Sequence, residues 1–321
     1  MRMTRSHVTA GLTVAICAAF FSASAQADRA PLDWLNSMNA AMRSTNYEGT
    51  VIRMQDGNAE ALKVARSVKD GVILERVVAQ EGNGLEIIRI GNEVHCIMPD
   101  RKSVLVEEWD EQSALFSKLP SSEMRIGNEY DVAIVRKERV AGREAILLAI
   151  RPHDEYRYGH RIWLDTETSF PLQTQLLSDG TAIEQVKFAD ISINQEIHAS
   201  ALEPSYSTEQ FTWLRQSSGH QGTRIETPWR NDQLPAGFRA VGAHEETLAG
   251  SDEPVTHILY SDGLASVSVF IANNSGDLVA GPAYVGGSNS FSVERGDYEI
   301  TAIGEVPAMT VEQIATSMQQ P

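Results

Sequence analysis

The chain has 321 residues and carries 43 acidic against 27 basic side chains, a net charge of −16. That balance excludes a nucleic-acid binder and an indiscriminate ligand of anionic membranes, because both need a basic surface. The length is more than one small domain uses, so two domains are expected. The chain opens on Arg2 and Arg5, an apolar run from Gly11 to Phe21, and the small-residue sites Ala23-Ser24-Ala25 and Ala25-Gln26-Ala27. These features read as a secretory signal peptide over residues 1–25, with cleavage after residue 27 equally readable, and the run is too short to span a bilayer. Cys17 follows Ile16 rather than a small residue, which excludes lipoprotein processing. Cys96 is then the lone thiol of an exported product, so no internal disulfide is expected and the fold must rest on its own core.

From Pro31 to Met42 the sequence predicts a helix, with proline at its start and Trp34, Leu35, Met38, Ala41 and Met42 on one face. The period then changes to two. Leu62, Val64 and Val68 alternate with Lys63, Ala65 and Ser67, and Val94, Cys96 and Met98 alternate with Glu93, His95 and Ile97. Asp56-Gly57, Asp70-Gly71, Asn83-Gly84, Gly91-Asn92 and Asp179-Gly180 supply the positive φ of tight hairpin turns. A chain of such hairpins predicts a long, curved antiparallel sheet, interrupted by a short helix at Glu111 to Leu119 and resumed from Val132 to about Ile193. Residues 196–222, with Glu-Pro-Ser and Ser-Ser-Gly, read as a linker from which Phe211, Trp213 and Leu214 dock on one domain. A second unit, 223–318, contains strands at Val255 to Tyr260, Leu264 to Ala272 and Asp297 to Ile303. It ends in a helix with Thr310 as expected cap, Gln313 as capping-box partner and Met309 facing Ile314 as a staple.

No catalytic set emerges. His153-Asp154-Glu155 with His160 matches no defensible zinc spacing, and the interleaved Tyr156, Tyr158 and Gly159 suit a loop. Glu107-Glu108 and Glu245-Glu246 are adjacent on strands, so each pair points to opposite faces. Cys96 reads as a small buried hydrophobe. In "YSDGLASVSVFIA" (Tyr260 to Ala272), Gly263 lies three residues before Ser266 and the strand continues beyond it, so the strand-to-helix elbow of a serine nucleophile is absent. Ala265, Val267, Val269 and Ile271 form one face of that strand, and Leu264, Ser266, Ser268 and Phe270 the other. No catalytic residue, metal or cofactor is therefore expected. A curled sheet can instead enclose an apolar cavity. Met54, Ile88, Ile90, Met98, Leu147 and Trp163 are its candidate lining, and Arg136, Lys137, Arg139, Arg151, Arg157 and Arg161 are candidates for holding an anionic head group.

Several stretches resemble one family in order along the chain. "RYGHRIWLDTETSFPLQTQLLSDG" (Arg157 to Gly180) is similar to the end of the first domain of the RseB/MucB proteins, and "LPAGF" (Leu234 to Phe238), "YSDGLASVSVFIA" and "GDYEITAIGEVPA" (Gly296 to Ala308) to their second domain. The Trp34 helix and "YEGTVIRM" (Tyr47 to Met54) agree with its beginning. The resemblance implies an α+β, mostly antiparallel fold: a LolA/LolB-like half-barrel closed by helices (28–195), then the smaller α+β second domain. It also implies a periplasmic, non-enzymatic negative regulator of the envelope-stress sigma factor. Such a protein binds the periplasmic region of an RseA/MucA-type anti-sigma factor and shields it from regulated proteolysis. The first domain would sense lipid-like or lipopolysaccharide signals, and the second would carry most of the anti-sigma contact, for which Tyr260, Ser266, Ser268 and Phe270 are candidates. A periplasmic lipid or lipoprotein carrier of LolA type is the alternative, although a simple carrier does not need residues 223–318. Homo-oligomerisation stays open.

Overall fold

The structure, a computed structural model, describes residues 29–108, 115–116, 119, 128–215, 223–247, 253–274, 276 and 279–320. The expected signal peptide, and most of the helix expected at Glu111 to Leu119, lie outside these residues. Two sheets carry the fold, antiparallel except for one parallel pair at the edge of the first. Among the described residues the first has twelve strands in the order β12-β6-β5-β4-β3-β2-β1-β11-β10-β9-β8-β7, and its edge strands β12 and β7 do not pair. Its strands are β1 (Tyr47–Gln55), β2 (Asn58–Lys69), β3 (Val72–Ala79), β4 (Glu86–Ile90), β5 (Glu93–Met98), β6 (Ser103–Glu108), β7 (Tyr130–Val140), β8 (Arg143–Pro152), β9 (Gly159–Asp165), β10 (Pro171–Ser178), β11 (Thr181–Ile193) and β12 (Thr212–Arg215). Asp56-Gly57, Asp70-Gly71 and Asp179-Gly180 each place two successive residues at positive φ, the backbone that keeps two-residue hairpins in line with strand twist.

One face of this sheet is plugged by helix α1 (Pro31–Ser44), which buries Trp34, Leu35, Met38, Ala41 and Met42 as its spacing predicts. Phe116 and Leu119 join the same cluster, and Phe116 packs edge-on against Phe170 at 6.0 Å. The end of α1 is fixed to the sheet by a fully buried guanidinium. Arg66 donates to the Met42 carbonyl at 2.5 Å and lies 3.6 Å from Glu75, which accepts from the Tyr47 hydroxyl at 2.8 Å.

Two sequence expectations need correction here. Ile97, placed on a polar face by alternation, is buried with Ile88, Val104 and Val106 in a separate small cluster. Phe211 covers that cluster, and β12 adds to β6 in parallel, so residues within the expected linker belong to the first sheet. The expected docking of Trp213 is edge-on against His95.

The second sheet has the order β13-β15-β16-β17-β20-β19-β18. These are β13 (Thr223–Arg224), β15 (Arg239–Thr247), β16 (Pro254–Ser261), β17 (Ser266–Asn273), β18 (Gly281–Val285), β19 (Ser288–Arg295) and β20 (Tyr298–Gly304); β14 (Arg230–Asn231) pairs with β21 (Met318–Gln319) beside it. Helix α2 (Ala308–Thr316) covers one face, packing Val311, Ile314 and Ala315 on Ile258, Val267, Val269, Ile300 and Ala302. Its start differs from the expected capping box. Pro307 is the N-cap and makes no side-chain cap bond, while Thr310 lies inside the helix and Gln313 donates to the Gln233 carbonyl. Proline at that position presets φ for helix entry, which frees Thr310 for a bond to the first sheet.

Candidate functional site

The two sheets meet along a polar seam built around Arg157, at the end of the loop that leads into β9. Its side chain is fully buried and all three guanidinium nitrogens are engaged. Nε donates to Oδ2 of Asp262 at 2.5 Å, and the other two reach Asp154 and the Ala236 carbonyl. The guanidinium also lies 5.0 Å from the Phe238 ring and 5.7 Å from the Tyr130 ring. Burial lowers the pKa of Arg157, but the hydrogen bonds to Asp262 and Asp154 outweigh it and the net shift is upward. Tyr130 donates to the same Asp262 oxygen at 2.9 Å, and burial followed by the Asp262 charge pushes its phenol well above the ordinary range.

Asp262 belongs to the "YSDG" stretch. Its other oxygen accepts the Leu264 and Ala265 N–H groups at 2.8 and 2.7 Å, which closes the turn between β16 and β17. Leu264 packs against the first sheet's core. One carboxylate therefore shapes the turn and locks it to the other domain. Further bonds cross the seam. Thr310 donates to the Tyr156 carbonyl at 2.8 Å, Asn289 to the Tyr158 hydroxyl at 3.0 Å, and the Gly287 N–H to Glu184 at 2.6 Å. A Cβ on Gly287 would sit 2.7 Å from Leu176, so this hairpin tip approaches the first sheet closely because it lacks a side chain.

A cleft of about 560 Å³ opens beside the seam, lined by Arg151, Arg157 and Arg161 on the first sheet and by Pro307 and Met309 at the start of α2. His160 lines it too; burial pulls its pKa down to about 4, so the ring is neutral near pH 7. The structure thus brings three of the six head-group candidates together. Arg157 is already saturated by protein partners, which corrects its assignment: it holds the seam. Arg151 and Arg161 are the cationic groups left to face the cleft. Arg136, Lys137 and Arg139 lie elsewhere, on exposed β7, with Arg136 paired to Glu138 at 2.5 Å and Arg139 to the Gly142 carbonyl.

The apolar candidates do not assemble into one lining. Met54 and Ile90 are 44% and 51% exposed, Ile88 belongs to the cluster under Phe211, and Met98 is half-buried. Leu147 and Trp163 are cross-strand partners. They alternate with Ile146, Leu148, Ile162 and Leu164, so they lie on the opposite face of the strands from Ile162. Beneath Phe116 and Leu119, against Ile162, Leu176 and Val186, only about 40 Å³ remains, little more than one water's share of liquid volume.

Among the partner-contact candidates, Tyr260 is 3% exposed, with its hydroxyl on the Met318 sulfur at 3.5 Å, so it is a core residue. Ser266 is exposed, and Ser268 and Phe270 are half-buried on the face of β17 away from α2. In the expected polar loop, His153 pairs with Asp131 and Asp154 with Arg157, and no metal-ligand set forms there among the described residues. Asp262, Tyr130 and Phe238 were missed in the sequence. Asp262-Gly263 reads locally as a turn, and nothing in that dipeptide shows that the carboxylate also meets an arginine 105 positions away.

Family models described as the MucB/RseB N-terminal domain and the MucB/RseB C-terminal domain match residues 30–206 and 223–319. The chain is 29% identical to the sigma factor AlgU regulatory protein MucB of Pseudomonas aeruginosa over 89% of its own length and 90% of that protein's. It is 28% identical to the sigma-E factor regulatory protein RseB of Salmonella typhimurium, over 94% of each. Among solved structures, the Pseudomonas aeruginosa MucA/MucB complex matches with a TM-score of 0.69 and 26% identity, covering 90% of this chain and 98% of that one. MucB in complex with MucA(peri) matches with a TM-score of 0.68 over 91% and 99%. With matches running through both sheets and the seam that joins them, the chain belongs to the MucB/RseB family.

Proposed function

We propose that this chain is a periplasmic regulator that binds the periplasmic region of an RseA/MucA-type anti-sigma factor, protects it from regulated proteolysis and so represses the envelope-stress response. The observation that carries this reading is the likeness, across both domains, to MucB held in complex with MucA(peri). The outer face of β17, with Ser266, Ser268 and Phe270, and the interdomain cleft are the surfaces we assign to the partner. The cleft also suits a lipid-like or lipopolysaccharide signal: Arg151 and Arg161 offer charge to an anionic head group, and Met309 offers an apolar wall. A ligand that shares the cleft with the partner lowers the partner's affinity, and the coupling is reciprocal.

The test is calorimetry of the mature chain with the periplasmic segment of an RseA/MucA-type anti-sigma factor, followed by titration of lipopolysaccharide into the complex. Binding at micromolar protein, reversed by lipopolysaccharide in the parent and less readily in an Arg151→Glu, Arg161→Glu variant, is expected. Absence of binding overturns the regulator reading. Unchanged release in the variant removes the two arginines from it.

A further inference from the structure

The face of the second sheet turned away from α2 carries a cluster that neither the seam nor the cleft uses. His244 on β15 and His257 on β16 are cross-strand partners. Glu246 follows His244 by two residues and therefore points to the same face. His244 Nε2 and His257 Nδ1 are 3.1 Å apart. His244 Nε2 is 3.4 Å from Oε2 of Glu246, and His257 Nδ1 is 3.4 Å from its Oε1. The His257 ring is held from below by Phe270, stacked at 4.4 Å and 21°. The three side chains are 20%, 9% and 14% exposed in chain order, screened from bulk water yet open to a small ion.

One ligand atom from each of the three residues lies within 4.8 Å of the others, a spacing that a single small cation can bridge. Zinc bonds of about 2.0–2.2 Å to imidazole nitrogen and carboxylate oxygen, set tetrahedrally, separate neighbouring ligand atoms by about 3.3–3.5 Å. The two ring nitrogens stand 3.1 Å apart, and each lies 3.4 Å from a different oxygen of Glu246, so the carboxylate reaches the shared position through either oxygen or both. We propose that His244, Glu246 and His257 form a divalent transition-metal site of zinc type, with a fourth position open to water or to a donor from outside the chain. Two imidazoles with one carboxylate select against calcium and magnesium, which take oxygen donors, and favour zinc among the ions such a set binds. A bound ion ties β15 to β16 beside Ser268 and Phe270, and stabilises the second domain because the assembled triad exists only in the folded chain. The site is hidden from short-range motifs because its ligands come as His-x-Glu on one strand and a single histidine on the next.

The experiment uses the mature chain stripped with chelator, titrated with zinc by calorimetry and with cobalt by visible absorption, alongside thermal unfolding. Expected are one ion per chain at micromolar affinity or tighter, cobalt bands of a tetrahedral nitrogen–oxygen site, and an unfolding midpoint raised by zinc. His244→Gln, His257→Gln and Glu246→Gln should each weaken zinc by about tenfold or more, whereas His153→Gln should leave it unchanged. Circular dichroism checks that each variant folds, and Glu246→Gln, which keeps the shape of the native side chain, decides should a histidine variant fail. No stoichiometric zinc binding, as expected of a cluster that only shares protons, overturns the proposal. So does binding that all three variants retain.

Discussion

Asp262→Asn is the most informative change at the seam. The substitution keeps the side-chain shape and the oxygen that accepts the Leu264 and Ala265 N–H groups, so the turn between β16 and β17 is retained. It removes the charge and places an amide where Oδ2 accepts from Arg157 and Tyr130. Hydrogen bonds to a charged group contribute about 1.5–3 kcal/mol each, and breaking a buried ion pair from one side costs about 3–5 kcal/mol. Arg157 retains Asp154 and the Ala236 carbonyl, which places the expected loss near the lower figure, about 3 kcal/mol. Because each sheet has its own apolar cluster, the loss should appear first as seam opening. Urea unfolding followed by tryptophan fluorescence should split into two transitions, and amide exchange at 156–158 and 261–265 should accelerate. A single transition with a stability change under about 0.5 kcal/mol, the size of an ordinary surface substitution, would refute the role given to this pair.

Two further outcomes follow from the same geometry. The folded pKa of His160, about 4, lies below its ordinary 6.5, so the unfolded chain takes up a proton that the folded chain refuses between those values. Stability should therefore be intact above pH 6.5 and fall by about 1–3 kcal/mol towards pH 4, with His160→Gln flattening the denaturation midpoint over that window; an unaltered slope in the variant refutes it. Cys96, half-buried, has its thiol pushed up to about 11 by burial and then by Glu107. Alkylation at pH 8 should run about a hundredfold slower than for an ordinary thiol, and labelling at the ordinary rate would contradict the environment described.

Much of the molecule was legible where local chemistry suffices. Asp-Gly pairs marked the hairpins because few other residues accept two successive positive φ values. Trp34 to Met42 announced α1, because a helix that buries one face must repeat at helical spacing. Strands β15, β18 and β19 were overlooked. Gly242 in β15 and the small polar residues Ser288, Asn289, Ser290 and Ser292 around Phe291 in β19 weaken the apolar alternation, and pairing with β16 and β20 supplies what the local pattern lacks. Thr310 shows the opposite failure: its capping pattern was real in sequence, but Pro307 starts the helix three residues sooner.

The candidate sites divide along the same line. Alternation correctly separated Val267, Val269 and Ile271 from Ser266, Ser268 and Phe270, since a strand turns successive side chains to opposite faces. It could not show that Tyr260 points into α2's core, or that Arg157 is consumed by Asp262. The sequence by itself determined the hairpin succession, the helix that plugs the first sheet and the family. Tertiary structure alone decided which arginines face the cleft, which acid locks the seam, and that His244, Glu246 and His257 converge. The physical reason is range: turn preference and periodicity act over a few residues, whereas a buried charge takes its partner from whatever strand the fold brings within about 3 Å.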